Sequence, residues 1–437
     1  MTFRVRLAAV LLIAGIFFPL LHPAQAADLN FERQRMKGIL DQVSSVVEKN
    51  YYDPRLNGLD WKALTAQTRT RIDAAENVSQ MITSIFAQLD KLQDSHTVFL
   101  PPQRVNQPLF GFSAKAYGDD ILVYEVKKDG AAAAAGLKRG DQILAINGFN
   151  AERSTFDKMM LYFRALRPMA KLEIEARTGE EAPRIILLEA KIKQVQAVTD
   201  LTKMGTIWEM IREMEGTELI SHYNNYPGDV GYVQLPEFSG SEESINGLVG
   251  RVKHARAVIV DLRGNHGGSV NLLASFTGYF ESEPTVIADV ITRKKTEPIK
   301  VRPLGMKFSG PMFVLVDSQT SSAAEMFARH FQLSKRGRVI GDRTSGRVNA
   351  ARLFPEHMGV DVGVALYGVE VAVGRVVFPG GEELEKRGVT PDEFCLPTAR
   401  DLAKEADPCL RKAISMARKT LGVPDDPLKD IVAGAQN

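Results

Sequence analysis

The sequence predicts an α/β protein built around a layered core, with a small β-rich domain and a helical region ahead of it. Three observations lead to that class. From Gly231 onward, short apolar runs that read as buried strands alternate with segments of helical length, as in a core where helices pack on a sheet. Between Phe110 and about Lys191 the apolar runs are short and separated by glycine turns. From Phe31 to about Leu92 apolar residues recur at helical spacing instead. The 437 residues, 44% hydrophobic and 25% charged with no low-complexity tract, suffice for two to four globular domains.

Residues 1–26 stand apart. Arg4 and Arg6 precede an apolar run from Leu7 to Leu21, followed by Ala24-Gln25-Ala26, the layout of a signal peptide cleaved after Ala26. The run is about fifteen residues, short of the roughly twenty that a bilayer span needs. Export to the periplasm or beyond is therefore expected, with no membrane span left after cleavage; an uncleaved anchor is the alternative. Removing the leader takes two arginines and no acid from a net charge of +2, so the mature chain is neutral. No polybasic patch points to nucleic acid, and no histidine or cysteine cluster has metal-ligand spacing. No cofactor or metal is expected. The only cysteines, Cys395 and Cys409, both fall in the exported part, where a disulfide persists. A bridge would close a loop of about fifteen residues, worth roughly 3 kcal/mol in the chain-entropy picture; two free thiols are the alternative.

The expected helical region, 27–104, carries Ile39, Val43, Val46 and Val47 on one face, Trp61, Leu64 and Ile72 in a second segment, and a third helix from about Val78 to Leu92. Gln93-Asp-Ser-His-Thr97 ends it, and Pro101-Pro102 opens the next link. The domain expected at 105–195 has strand-like runs at Ile121–Val126, Gln142–Asn147 and Lys171–Ala176. Between the first two, Gly130-Ala-Ala-Ala-Ala-Ala-Gly136-Leu137-Lys-Arg-Gly140-Asp141 reads as a small-residue helix closed by glycine turns. This stretch closely resembles a PDZ domain, whose Ala-x-x-Ala-Gly-Leu-x-x-Gly-Asp-x-Ile pattern is nearly intact. The resemblance implies that Leu109, Phe110, Gly111 and Phe112 form the carboxylate-binding loop, that a helix from Thr155 to Ala165 flanks the groove, and that a peptide C-terminus adds as an extra strand.

The core is expected at 196–395. It begins with a helix from about Thr206 to Met214 and strand-like Gly231–Leu235, then Ala257–Leu262 ahead of a helix at Val270–Phe280. Pro311–Val316 with its helix, Gly337–Gly341, and paired strands near Val360–Leu366 and Val371–Phe378 complete it, and a helical tail is expected at 396–437.

The chemistry is sought where strands turn directly into helices. In Phe313-Val-Leu-Val-Asp-Ser-Gln-Thr-Ser-Ser-Ala-Ala-Glu325 an apolar run breaks into hydroxyl residues and opens a helix. Such a turn presents a serine beside unpaired backbone N–H groups and the positive end of the helix dipole; helix capping by Thr320 or Ser321 is the competing use of those hydroxyls. Asp261-Leu-Arg-Gly-Asn-His-Gly-Gly268 makes a second such turn through glycines. It lacks a Walker lysine and GxGxxG spacing, so an oxyanion hole fits better than a phosphate loop. One donor would come from Gly267 or Gly268 and the other from Ala323.

Together these segments resemble the carboxy-terminal processing (tail-specific) serine peptidases, over essentially the whole mature chain. The resemblance implies a ClpP/crotonase-like α/β core with an inserted PDZ domain, and it selects Ser322, three residues before Glu325, as nucleophile over Ser321. One departure matters: where the family has a lysine base, Thr344-Ser345-Gly346 is followed by Arg347, and Ala351 replaces a glutamine. A guanidinium with pKa above about 12 accepts no proton near neutrality. The tricorn-like branch is similar around the serine but takes its base from a segment like Asp94-Ser-His96-Thr97 and an acid from one like Leu384-Glu385-x-x-Gly388-Val; lysine-type members carry similar segments. The implied triad is Ser322, His96 and Glu385. Arg347 is left as a substrate clamp or an ion-pair partner. His266 is expected to fill its loop, with reach into the site as the alternative, His330 to be a packed or surface residue of its helix, Glu325 to support the helix start and Arg263 to anchor its turn.

The expected function is an exported endopeptidase that cleaves protein or peptide substrates with free C-termini through an acyl-enzyme, possible as an oligomer. A catalytically inactive PDZ-bearing binding protein is the second reading, and an esterase or ligand carrier on the same core the third.

Overall fold

The computed structural model describes residues 23–102, 106–194, 219–305, 308–358 and 365–424. The leader up to His22 and the helix expected at Thr206–Met214 lie outside them. Helices Pro23–Asn50, Trp61–Ala74 and Val78–Asp90 form the N-terminal region. The side chains of Asp60 and Asn77 accept N–H groups of Ala63 and Gln80, capping the second and third helices. Their apolar faces, including Ile39, Val43, Val47, Ile72 and Ile85, pack against Tyr367, Val369 and Val371 of a long strand, Ala365–Val377.

The core has two sheets. One runs in the order His222–Tyr226, Val230–Gln234, Ala257–Asp261, Met312–Val316, Gly337–Gly341, Glu393–Phe394. It is parallel beyond its first hairpin. The strands Ala257–Asp261 and Met312–Val316 are buried at every residue, which is why they read as continuous apolar runs. One face packs on helices Val270–Gly278 and Ala323–Leu333 through Val260, Val314, Phe276 and Phe327. The other is covered by helix Pro408–Thr420 through Ile259, Leu315, Ala413 and Ile414. Cys395 and Cys409 are joined, with Cα atoms 5.5 Å apart, which ties this helix to the last strand.

The second sheet is antiparallel and includes Val98–Leu100, Ala365–Val377, Thr285–Thr292 and Thr296–Val301. Here the strand reading needs correction. Ala365–Val377 pairs with Ala350–Met358, a strand not anticipated; of the strand expected at Val360–Leu366, residues 360–364 lie outside the described residues. Ala350–Met358 mixes half-buried and exposed residues and has no fully buried one, so it lacks the apolar run used to find strands.

The PDZ-like domain is a five-strand path of Phe112–Tyr117, Asp120–Val126, Asp141–Ile146, Lys171–Thr178 and Arg184–Glu189 around its own core. Its entry and exit chains, Asn106–Leu109 and Lys191–Gln194, pair with each other, as an inserted domain requires. Buried ion pairs hold it on the core: Lys115 with Asp317 at 2.5 Å and Arg153 with Asp342 at 2.7 Å.

Candidate active site

The strand Met312–Val316 leaves the sheet through Asp317 and turns into the helix that starts at Ala323. Ser322 sits on that turn at φ +55°, a region that costs a side-chain-bearing residue energy and persists only where its surroundings enforce it. The enforcement is visible. The N–H of Ser322 donates to the carbonyl of Arg347 (2.6 Å) and to Oε2 of Glu325 (3.1 Å), and the N–H of Ser321 donates to the carbonyl of Asn265 (2.9 Å). Glu325 is buried and also accepts from Thr344 Oγ1 (2.5 Å) and the N–H groups of Gly346 and Arg347 (2.8 and 2.9 Å). It thus joins the serine turn to the 344–347 loop. Burial raises its carboxyl to about 7 against the pull of these four donors.

Asp317 organises the other side of the turn. It accepts N–H groups from Gly264, Gln319 and Thr320, each at 3.0 Å. Burial opposes its ionisation, but the Lys115 ammonium and these donors prevail and bring it down to about 2.

The glycine turn carries two roles that spacing alone did not separate. The N–H of Gly267 is engaged by Asn265 Oδ1 at 2.7 Å, so this residue is not a free oxyanion donor. It is there for room: at φ +97°, a Cβ on it would meet Ser322 Cβ at 2.6 Å and Ala323 N at 3.0 Å. Among the described hydrogen bonds the N–H groups of Gly268 and Ala323 have no acceptor.

His96 is 7% exposed. Its loop is folded by Asp94 Oδ1, which accepts the N–H groups of His96 (2.8 Å) and Thr97 (2.7 Å). Ser95 Oγ lies 2.9 Å from His96 Nδ1, so the other ring nitrogen, Nε2, is left for a proton from substrate chemistry once Nδ1 carries the hydrogen. Burial first, and then the charge of Arg347, lowers the imidazole to about 3. Among the described residues no hydrogen bond joins Glu385 to the ring, whereas the implied triad has the acid orienting the imidazole directly. The Glu385 carboxylate accepts three backbone N–H groups, from Ser95 (3.1 Å), Val348 (3.0 Å) and Asn349 (3.2 Å). Ser95 stands between acid and imidazole, and it was missed because a serine inside Asp-Ser-His has no signature apart from its neighbours.

Arg347 joins these parts. Its carbonyl takes the Ser322 N–H, and its guanidinium donates to the carbonyl of Ser95 at 2.8 Å. His96 and Ser322 share no hydrogen bond among the described residues; their loops are linked through Arg347. Glu370, on the strand that pairs with Val98, was also missed. It is 4% exposed, and burial raises it to about 7 while Arg347 pulls it down.

The other residues fall elsewhere. His330 is buried against Glu281, Nε2 to Oε1 at 2.8 Å. Arg263 bridges Asp261 and Asp407 at 2.6 and 2.7 Å, anchoring its turn to the C-terminal helix. His266 lines a cavity of about 1700 Å³ between the PDZ-like domain and the core, as do Arg347 and all four residues Leu109, Phe110, Gly111 and Phe112. The carbonyls of Phe110 and Gly111 accept from Ala132 and Lys127 inside the domain. Because a trans peptide points its N–H opposite its carbonyl, the N–H groups of Gly111 and Phe112 face away from that interior. Among the described residues there is no cluster placed to hold a metal and no helix long and apolar enough to cross a membrane.

Comparison with known proteins agrees with this architecture. Peptidase family S41 matches residues 229–394, the PDZ domain matches 98–175 and the tricorn protease C1 domain matches 33–82. A carboxyl-terminal-processing protease of Picosynechococcus sp. is 24% identical over 377 residues, 81% of this chain and 82% of that protein. A putative tricorn protease homolog of Streptomyces coelicolor is 23% identical over 87% of this chain, which spans 32% of that longer protein. Among solved structures, mature CPAF complexed with lactacystin superposes with a TM-score of 0.65 at 14% identity, over 90% of this chain and 99% of that one. The chain therefore carries a peptidase family S41 domain at residues 229–394 together with a PDZ domain, and it is similar over most of its length to carboxyl-terminal-processing proteases.

Proposed function

We propose that the protein is an exported endopeptidase that hydrolyses peptide bonds through an acyl-enzyme on Ser322, with His96 as base and with Ser95 and Glu385 orienting it. The observation that carries this reading is the strained Ser322 on its strand-to-helix turn, beside the uncommitted N–H groups of Gly268 and Ala323. Ser322 Oγ attacks the scissile carbonyl and passes its proton to His96 Nε2. The oxyanion is held by Gly268 and Ala323, and His96 then protonates the leaving amine. Water, deprotonated by the same imidazole, hydrolyses the ester. Ser95 accepting from Nδ1–H fixes the tautomer, and Glu385 fixes Ser95 through its N–H. Base and nucleophile close to bonding distance in the substrate complex, as apo sites commonly do.

Substrate C-termini are taken by the 109–112 loop, whose outward N–H groups suit a carboxylate, and the shared cavity leads from that loop toward the serine turn. Export follows from the leader at 1–26. The test is labelling with a fluorophosphonate probe, wild type against Ser322→Ala, together with proteolysis of unfolded casein. A Ser322-dependent adduct and cleavage are expected; absence of both defeats the reading.

A further inference from the structure

The cavity between the domains has walls of different charge. Those core residues that line it near the serine turn include Arg343, Arg347, Lys386 and Arg387 and no carboxylate. The acids on the core side of the cavity are occupied elsewhere. Asp317 and Asp342 are held by Lys115 and Arg153 of the PDZ domain, and Glu382 and Glu383 pair with Arg329 and Arg375. Glu385 faces backbone N–H groups. Arg343, Lys386 and Arg387 are exposed, and among the described residues none of them pairs with a carboxylate. Lys386 is also held rigidly: it adopts φ +64° with its N–H on the carbonyl of Gly346 at 2.7 Å. That turn packs directly against the 346–347 segment whose carbonyl holds Ser322. On the facing walls Asp90 is paired with Lys158 and Asp94 folds its own loop, while Asp119, Glu125, Asp129, Glu152 and Asp157 of the PDZ domain line the cavity among that domain's own lysines and arginines.

We infer that Arg343, Lys386 and Arg387 form a subsite selecting polypeptides with aspartate or glutamate close to the scissile bond. This rests on the peptidase reading and names its substrate class. An extended substrate passing along this wall would place carboxylates beside cations with which no carboxylate pairs among the described residues. Exposed pairs of this kind are each worth only about two- to fivefold, so the three together give on the order of tenfold, decreasing with salt.

The test uses internally quenched peptides that differ only in Asp/Glu against Asn/Gln on either side of one cleavable bond. For the wild type, kcat/KM should favour the acidic peptide by about tenfold at low salt and lose most of that preference by about 0.5 M NaCl. The triple variant Arg343→Gln, Lys386→Gln, Arg387→Gln should cleave the neutral peptide as the wild type does and show no preference. Fluorescence anisotropy on Ser322→Ala protein gives the same comparison as binding, without turnover. Equal kcat/KM and equal affinity for the two peptides overturn the subsite while leaving the peptidase standing. A preference that survives in the triple variant overturns it equally. If neither peptide is cleaved and Ser322 takes no probe, the peptidase reading is what has failed, and the anisotropy comparison still decides the charge preference.

Discussion

His96 should keep the enzyme active far below the pH at which an ordinary histidine base is silenced. The imidazole is lowered to about 3, by burial first and by the Arg347 charge second. At pH 5 a base with the ordinary value of about 6.5 would be roughly 3% neutral, whereas one near 3 is almost entirely so, a difference of about thirtyfold in kcat/KM. The assay is the pH profile of kcat/KM on a quenched peptide from pH 3.5 to 8. An acid limb well below 5 is expected in the wild type. In Arg347→Met the limb should move upward yet stay below 6.5, because the larger cause, burial, remains. Its overall rate should also fall, because the guanidinium bond to the Ser95 carbonyl is lost, but limb position is read independently of height. A wild-type limb at 6.5, or an unmoved limb in the variant, would refute the reasoning. The same shift has a stability consequence with a definite sign. The folded value lies below the unfolded one, so the unfolded chain binds the proton more readily between them. Stability is complete above about 6.5 and declines as pH falls toward 3, by up to roughly 5 kcal/mol for this group.

Four further outcomes follow from particular contacts. Ser95→Ala should lower kcat about ten- to a hundredfold with little change in KM, since it loosens the imidazole without touching substrate; an unchanged kcat would remove Ser95 from the site. Gly267→Ala should abolish probe labelling while leaving the circular dichroism spectrum intact, because the new methyl would lie 2.6 Å from Ser322 Cβ; retained labelling would show that the turn yields. Lys115→Met leaves Asp317 buried and unpaired, which should cost about 3 kcal/mol in denaturant titration, and the double variant with Asp317→Asn should recover part of it. Replacing Cys395 and Cys409 by serine should cost roughly 3 kcal/mol for the closed loop, read as a lower thermal midpoint that matches wild type measured under reducing conditions.

Much of the molecule was legible in advance because it rests on local rules. The strands Ala257–Asp261 and Met312–Val316 are apolar throughout because both sheet faces are covered, and a fully buried strand shows itself in any window of sequence. The helix opening at Ala323 and the PDZ glycine turns follow from the same local grammar, and Arg347 excluded the lysine base by its chemistry alone. Ala350–Met358 escaped because its side chains are only half covered, and its place depends on the partner Ala365–Val377 far along the chain. The roles within the site were decided the same way. Whether Gly267 or Gly268 offers its N–H depends on Asn265 reaching back two residues. That Glu385 accepts from backbone depends on two distant segments, at Ser95 and at 348–349, converging on one carboxylate. Sequence by itself determines which residue types are available for chemistry and which strands are buried, because propensity, periodicity and ionisation belong to the residue. Tertiary structure alone decided who holds whom, because a hydrogen bond has a direction and a carboxylate a fixed number of lone pairs, and these are allotted only once distant segments meet.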